Sequence, residues 1–165
     1  TGTGTVTWNI NAAGTGDFAT VEDAIAALDD YHIPGDVLLE IKLAAGDYEF
    51  DAPLAFVHPD GARLRLVGDE AAPDTVTMSF PSSSGIIVGG SSALGYLAGV
   101  EIDGIGASNT YGILVQDSSS LVLGPVILSD WYYGLEAWTG SFVRGDYASS
   151  RTAGWSTWAS PPGSW

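Results

Sequence analysis

Cysteine is absent from this chain, which removes disulfide frameworks, thiolate zinc sites and cysteine nucleophiles together. Cations are nearly as scarce: five Lys and Arg stand against twenty Asp and Glu, for a formal net charge of −15. The five are Lys42, Arg63, Arg65, Arg144 and Arg151, spread over the whole length with no basic patch. Nucleic acid, anionic membrane surfaces and polyanionic substrates are therefore not expected as partners. No apolar run approaches the roughly 18 residues of a membrane span, and no signal peptide is read. The chain starts at Thr1 and its only methionine is Met78, so excision or processing from something longer is expected. What it does have is 45% apolar residues in 165, enough for one domain with a real core.

One helix is expected, then strands only. Thr1 to Thr5 (TGTGT) is a polar lead-in, and Val6, Trp8 and Ile10 alternate with Thr7 and Asn9 as in a half-buried strand. Asn11 to Asp17 carries turn chemistry. Thr20 with Asp23 has the form of a capping box, and Val21, Ala24, Ile25 and Leu28 make one apolar stripe. Pro34–Gly35 forbids continuation. Later runs alternate: Leu39, Ile41 and Leu43 against Glu40 and Lys42, Leu64 and Leu66 against Arg63 and Arg65, and Val76, Met78 and Phe80 against Thr75, Thr77 and Ser79.

An internal repeat carries the most information. Ser84-Gly85-Ile86-Ile87-Val88 matches Tyr111-Gly112-Ile113-Leu114-Val115, 27 residues on, and that segment matches Tyr133-Gly134-Leu135-Glu136-Ala137, 22 further on. Ser91 to Leu94 aligns with Ser118 to Leu121, and Ser141 to Val143 aligns with Ser119 to Leu121. A strand-only unit of this length is one coil of a parallel β-helix; a propeller blade needs about 40 residues. The expectation is an all-β, right-handed parallel β-helix of about five coils with an N-terminal capping α-helix. Residues 1–165 form its single domain: 1–16 lead-in strand and turn, 17–33 helix, 37–147 coils, 148–165 an aromatic tail. The tail holds Trp155, Trp158 and Trp165 without alternation, and Pro161–Pro162 opposes strand pairing there. Its tryptophans are expected to cover the end opposite the helix.

Gly14-Thr15-Gly16-Asp17-Phe18, Thr20-Val21, Ala24-Ile25, Gly46-Asp47-Tyr48, Leu66-Val67-Gly68 and Thr75-Val76 together resemble the opening of the pectin-lyase-like right-handed β-helix superfamily, the pectinesterases above all. Phage tail-spike and tail-fibre domains look similar. The resemblance covers the first 80 residues and implies that the helix closes the N-terminal end of the core. It implies no catalytic residue, because the Gln-Ala-x-Ala-Leu and Asp-Phe-Ile-Phe-Gly segments of pectinesterases are missing. The only glutamine is Gln116, followed by Asp117-Ser118. The charge balance also departs from that of pectate lyases, which engage uronate with basic residues.

Alternation from the repeat points Ile86, Val88, Ile113, Val115, Leu135 and Ala137 inward. It sends Ile87, Leu114 and Glu136 outward in one row, with Gly89, Gln116 and Trp138 in the next. An exposed face of Ile, Leu and Trp marks an oligomer interface or a ligand site unless a loop covers it. Ile87, Leu114, Glu136, Trp138, Trp155 and Trp158 are the interface or glycan-binding candidates. Glu101 and Asp103 share an outward face about 6.6 Å apart, near the inverting-glycosidase spacing, although so acidic a chain produces such pairs by chance. His32 and His58, both near prolines, lack the third ligand of a metal site, so no metal and no cofactor are expected. The serines at 91–92, 118–119 and 141 read as a stacked ladder at a corner.

The function expected is non-enzymatic: a β-helix module of a phage tail fibre, spike or similar virion or extracellular surface appendage. It would serve assembly, as a homotrimer with other appendage proteins, or recognition of a neutral host glycan, or both. The alternatives are a pectin-lyase-like carbohydrate-active enzyme and a purely structural decoration or spacer.

Overall fold

The computed structural model describes residues 4–105, 110–145 and, by backbone alone, 149–151. One helix, α1 (Val21–Leu28), follows strand β1 (Gly4–Ile10). Strands then come in threes: β2 (Val37–Leu43), β3 (Gly46–Glu49) and β4 (Leu54–Phe56), and β5 (Leu64–Val67), β6 (Val76–Ser79) and β7 (Ile86–Val88). Next are β8 (Ala93–Ala98), β9 (Val100–Asp103) and β10 (Tyr111–Val115), then β11 (Ser120–Leu123), β12 (Val126–Ser129) and β13 (Tyr133–Ala137). A last pair, β14 (Phe142–Gly145) and β15 (Ser149–Arg151), ends the described chain.

From β2 onward the chain visits three sheets in fixed rotation. The first sheet has the order β1-β2-β5-β8-β11-β14, the second β15-β12-β9-β6-β3 and the third β13-β10-β7-β4. Among the described residues every strand pairing is parallel. The sequence repeat is the hydrogen-bond register itself: Ile113 pairs with Ile86 on one side and Leu135 on the other. Leu121 likewise pairs with Leu94 and Val143. One bulge interrupts this agreement, since β8 carries an extra residue between Leu94 and Leu97 relative to Leu121 and Leu123 of β11.

Parallel strands buried between sheets must put aliphatic side chains on their inner faces. Leu39, Ile41, Leu64, Leu66, Leu94 and Leu121 do so from the first sheet, Val76, Met78, Val100 and Ile102 from the second, and Ile86, Val88, Ile113 and Val115 from the third; all are essentially inaccessible. Phe50 and Phe80, each just beyond a second-sheet strand, stack at 4.9 Å. The next position in that row is Gly104, whose N–H bonds to the Ser129 carbonyl as the Phe80 N–H bonds to that of Asp103. Trp131 fills the space, 3% exposed, with its Nε1–H donating to the Ile102 carbonyl at 2.9 Å. A Cβ on Gly104 would stand 2.8 Å from that indole.

The helix is shorter than the 17–33 expected. Asp17 and Phe18 are held extended instead: Asp17 accepts the Asn9 N–H at 2.7 Å and donates its own N–H to the Asn9 carbonyl, and Phe18 bridges to Ile10. The helix starts only after Thr20, whose hydroxyl accepts the Asp23 N–H at 3.1 Å. Val21, Ala24 and Leu28 are buried in the core, while Ile25 is half-buried.

Below the helix C-terminus, His58 Nδ1 accepts the Asp60 N–H, so Nε2 carries the proton and reaches the carbonyls of Leu28 and Tyr31 at 3.1 and 3.0 Å. Asp60 in turn accepts the Ile33 N–H and pairs with Arg63 and His32. Burial alone would raise its carboxyl, but the Ile33 N–H, Arg63, His32 and His58 hold it below the ordinary carboxylate value. The histidines thus serve the helix junction.

The serine ladder forms as expected. Ser92 Oγ accepts the His58 N–H, Ser119 Oγ accepts the Ser92 N–H and Ser141 Oγ accepts the Ser119 N–H, at 2.9, 3.2 and 3.0 Å. The residues before it pair up in the left-handed region at Gly90–Ser91, Asp117–Ser118 and Thr139–Gly140. Glycine relieves one position of the first and last pairs, and Asp tolerates it in the middle one. Among the described residues no helix is long and apolar enough to cross a membrane.

Candidate functional site

The third sheet ends at β13, and four aromatic residues gather there. Tyr111 opens β10 and Tyr133 opens β13 in register with it, so their rings stack at 5.0 Å with 16° between planes. Trp138, just past β13, sets its indole at 84° to Tyr111, with centroids 5.3 Å apart. Tyr132 stands edge-on to Tyr133 at 4.6 Å. The backbone beneath is pinned: Trp138 N–H donates to the Val115 carbonyl at 2.8 Å and Tyr133 N–H to the Thr110 carbonyl at 3.1 Å. Tyr132 and Trp138 are 55% and 39% exposed, so the cluster presents aromatic surface to solvent.

Glu136 projects from β13 into this group. Its Oε2 is shielded from solvent and has no hydrogen-bond partner among the described residues. Burial first, then the charges of Glu136 and Tyr133, push the Tyr111 hydroxyl above the ordinary tyrosine value, so it stays protonated and available as a donor. Stacked rings, a perpendicular indole, a phenol and an unsatisfied carboxylate oxygen can hold a ligand with apolar faces and hydrogen-bond donors.

The expected outward row exists as a register, with Leu114 pairing with Ile87 and Glu136. Its exposure is corrected. Leu114 is only 6% accessible and Ile87 is half-buried. Leu114 therefore offers no free contact area. Glu136 and Trp138 are brought together as expected; Trp155 and Trp158 lie outside the described residues. Tyr111, Tyr132 and Tyr133 were not foreseen as site residues, although the 22-residue repeat already aligned Tyr111 with Tyr133.

Glu101 and Asp103 do share one outward face of the second sheet, but each is engaged locally. Glu101 Oε1 accepts the Ser129 hydroxyl at 2.9 Å, and Asp103 Oδ1 accepts the Ile105 N–H at 3.0 Å. They flank Thr77 and Ser79 in rows that also hold Asp47 and Glu49, side by side on strands rather than converging on a point.

Compared with protein-family models, curated proteins and solved structures, the chain finds no match in any of the three.

Proposed function

We propose that this chain is a right-handed parallel β-helix module of the pectin-lyase-like kind that recognises a host glycan without turning it over. The fixed rotation through three parallel sheets supports the solenoid: four triplets of strands, then β14 and β15 beginning a fifth. With its apolar stripe in the core, α1 would close the N-terminal end. Such modules suit a phage tail fibre, spike or similar virion or extracellular surface appendage.

The observation that carries the recognition reading is the Tyr111–Tyr133–Trp138 cluster with Glu136 at its side. Sugar rings offer apolar C–H faces to aromatic planes and hydroxyls to carboxylates, and uncharged ones meet no repulsion from a net charge of −15. A glycan array probed with the wild type and with Trp138→Ala is the test. Binding to a defined glycan class that the variant loses at least tenfold is the expected result. A blank array, or undiminished binding by Trp138→Ala, overturns the reading.

Assembly is the second reading, favoured by the outer face of the first sheet. Phe142 and Val122 are 61% and 38% exposed there, on adjacent strands β14 and β11. A closed homotrimer would bury three such faces around one axis, alongside other appendage proteins. Sedimentation equilibrium should give a trimer that Phe142→Asp dissociates; a wild-type monomer would remove this reading.

A further inference from the structure

We infer that the Tyr111–Glu136–Trp138 cluster takes a glycan bearing a free, protonated amine, an amino sugar, with the ammonium lodged against the Glu136 carboxylate. The inference rests on the glycan reading above and specifies which glycan. Glu136 Oε2 is an acceptor withdrawn from water with nothing among the described residues donating to it. Leaving such an oxygen unsatisfied is unfavourable, and a charged donor relieves more of that penalty than a hydroxyl does. The rings around it add to the same preference, since an ammonium is attracted to aromatic faces within about 6 Å. Tyr111, whose hydroxyl lies close enough to feel the Glu136 charge, has Tyr133 stacked on it and Trp138 at 84° to it.

Charge decides between an amino sugar and its acetylated or acidic relatives. The chain carries −15, and β10 and β13 contain no Lys or Arg that could neutralise Glu136 from within its own strands. A uronate would meet the carboxylate of Glu136 with a like charge. An N-acetyl group would present an amide where a cation fits. The backbone of Tyr133 and Trp138 is tied to the preceding strand, while the Tyr132 and Trp138 side chains are exposed. A sugar also fits better than a lysine side chain, because its ring covers the neighbouring tyrosine while its amine reaches the acid.

The probes are the glucosamine tetramer and the N-acetylglucosamine tetramer, which share a backbone and differ in the amine, titrated calorimetrically at about pH 6, where a primary amine is protonated. The expected result is binding of the glucosamine tetramer at least tenfold tighter than its acetylated form. Glu136→Gln should erase that preference while Glu22→Gln, which removes the same charge from the exposed first turn of α1, leaves it intact. In the wild type, nuclear magnetic resonance should show the Trp138 indole N–H and the Glu136 amide shifting on addition of the glucosamine tetramer, independently of any variant. Equal binding of both tetramers would overturn the amine inference and leave the glycan reading standing. Equal losses in Glu136→Gln and Glu22→Gln would reduce the effect to bulk charge and overturn it too. Binding of neither tetramer, with a tetralysine peptide captured instead, would overturn the inference; a blank glycan array besides would remove the glycan reading with it.

Discussion

The hydroxyl of Ser119 accepts the backbone N–H of Ser92, 27 residues earlier, at 3.2 Å. Ser119 is completely buried, and the half-buried Ser92 N–H that it accepts is shared with the Gly89 carbonyl at 3.2 Å. The Ser119 N–H is met in turn by Ser141. Each corner therefore depends on the strand that follows it for one hydrogen bond.

Ser119→Ala should leave the Ser92 N–H with the Gly89 carbonyl alone, also 3.2 Å away, and destabilise the protein by about 0.5–1.5 kcal/mol. Urea unfolding followed by circular dichroism measures this. Ser83→Ala makes a suitable contrast, because that hydroxyl bonds only to the carbonyl of its own neighbour, and its cost should be within about 0.5 kcal/mol. Equal costs for the two would show that the ladder contributes nothing particular.

Trp131 and Gly104 should prove energetically coupled. Trp131→Ala removes the largest side chain at the second-sheet corner and should cost about 3–5 kcal/mol. Gly104→Ala, which drives a methyl into the indole and the Asp130 carbonyl, should cost about 1–3 kcal/mol. Combined, they should cost less than the two added together, because the first change vacates part of what the second collides with. Strict additivity in a double-mutant cycle would contradict that packing.

The acid limb of stability should owe part of its slope to Asp60. Its folded value is depressed, so its contribution is complete above the unfolded value of about 3.9 and disappears as pH falls through the lower, folded one. Asp60→Asn should be less stable than the wild type at neutral pH, and the two should converge as the pH falls through that window. Parallel stability curves from pH 7 to about pH 2 would exclude Asp60 from acid unfolding.

His58→Phe should loosen the helix selectively, since the ring N–H that ties the Leu28 and Tyr31 carbonyls is lost while the volume is kept. Hydrogen exchange should quicken across Val21–Leu28 while β10 and β11 remain protected. Uniform acceleration across the chain would instead mark His58 as part of the global core.

Strand register was legible because inward and outward rows repeat with the strands: Ile113 resembles Ile86 and Leu135 since all three occupy one row of one sheet. Glu136 and Trp138 followed from the same alignment. Alternation alone misplaced two things. It assigned Leu114 to open solvent, whereas Leu114 is 6% accessible. Val122, on a strand likewise paired on both sides, is 38% exposed, so alternation gives a side but not an exposure. It also gave Tyr111 and Tyr133 the parity of the inward Ile113 and Leu135, which hid the meeting of Tyr111 with Trp138. Trp131 was illegible for a different reason. Its counterpart is the missing side chain of Gly104, and a glycine leaves no periodic signal.

Paired residues lie 22 apart at Ile113 and Leu135 but 32 apart at Leu54 and Ile86, yet both pairs sit in the same parallel sheet. The difference in length is taken up wholly in the connections. Lengthening a flexible connection is inexpensive, about 0.6 kcal/mol for each doubling. The segment from Asp51 to Pro53, between β3 and β4, is exposed throughout and joins strands whose own pairings do not involve it. That makes it an insertion port: a foreign peptide grafted there would be displayed at a fixed place between β3 and β4 while both strands keep the partners they pair with.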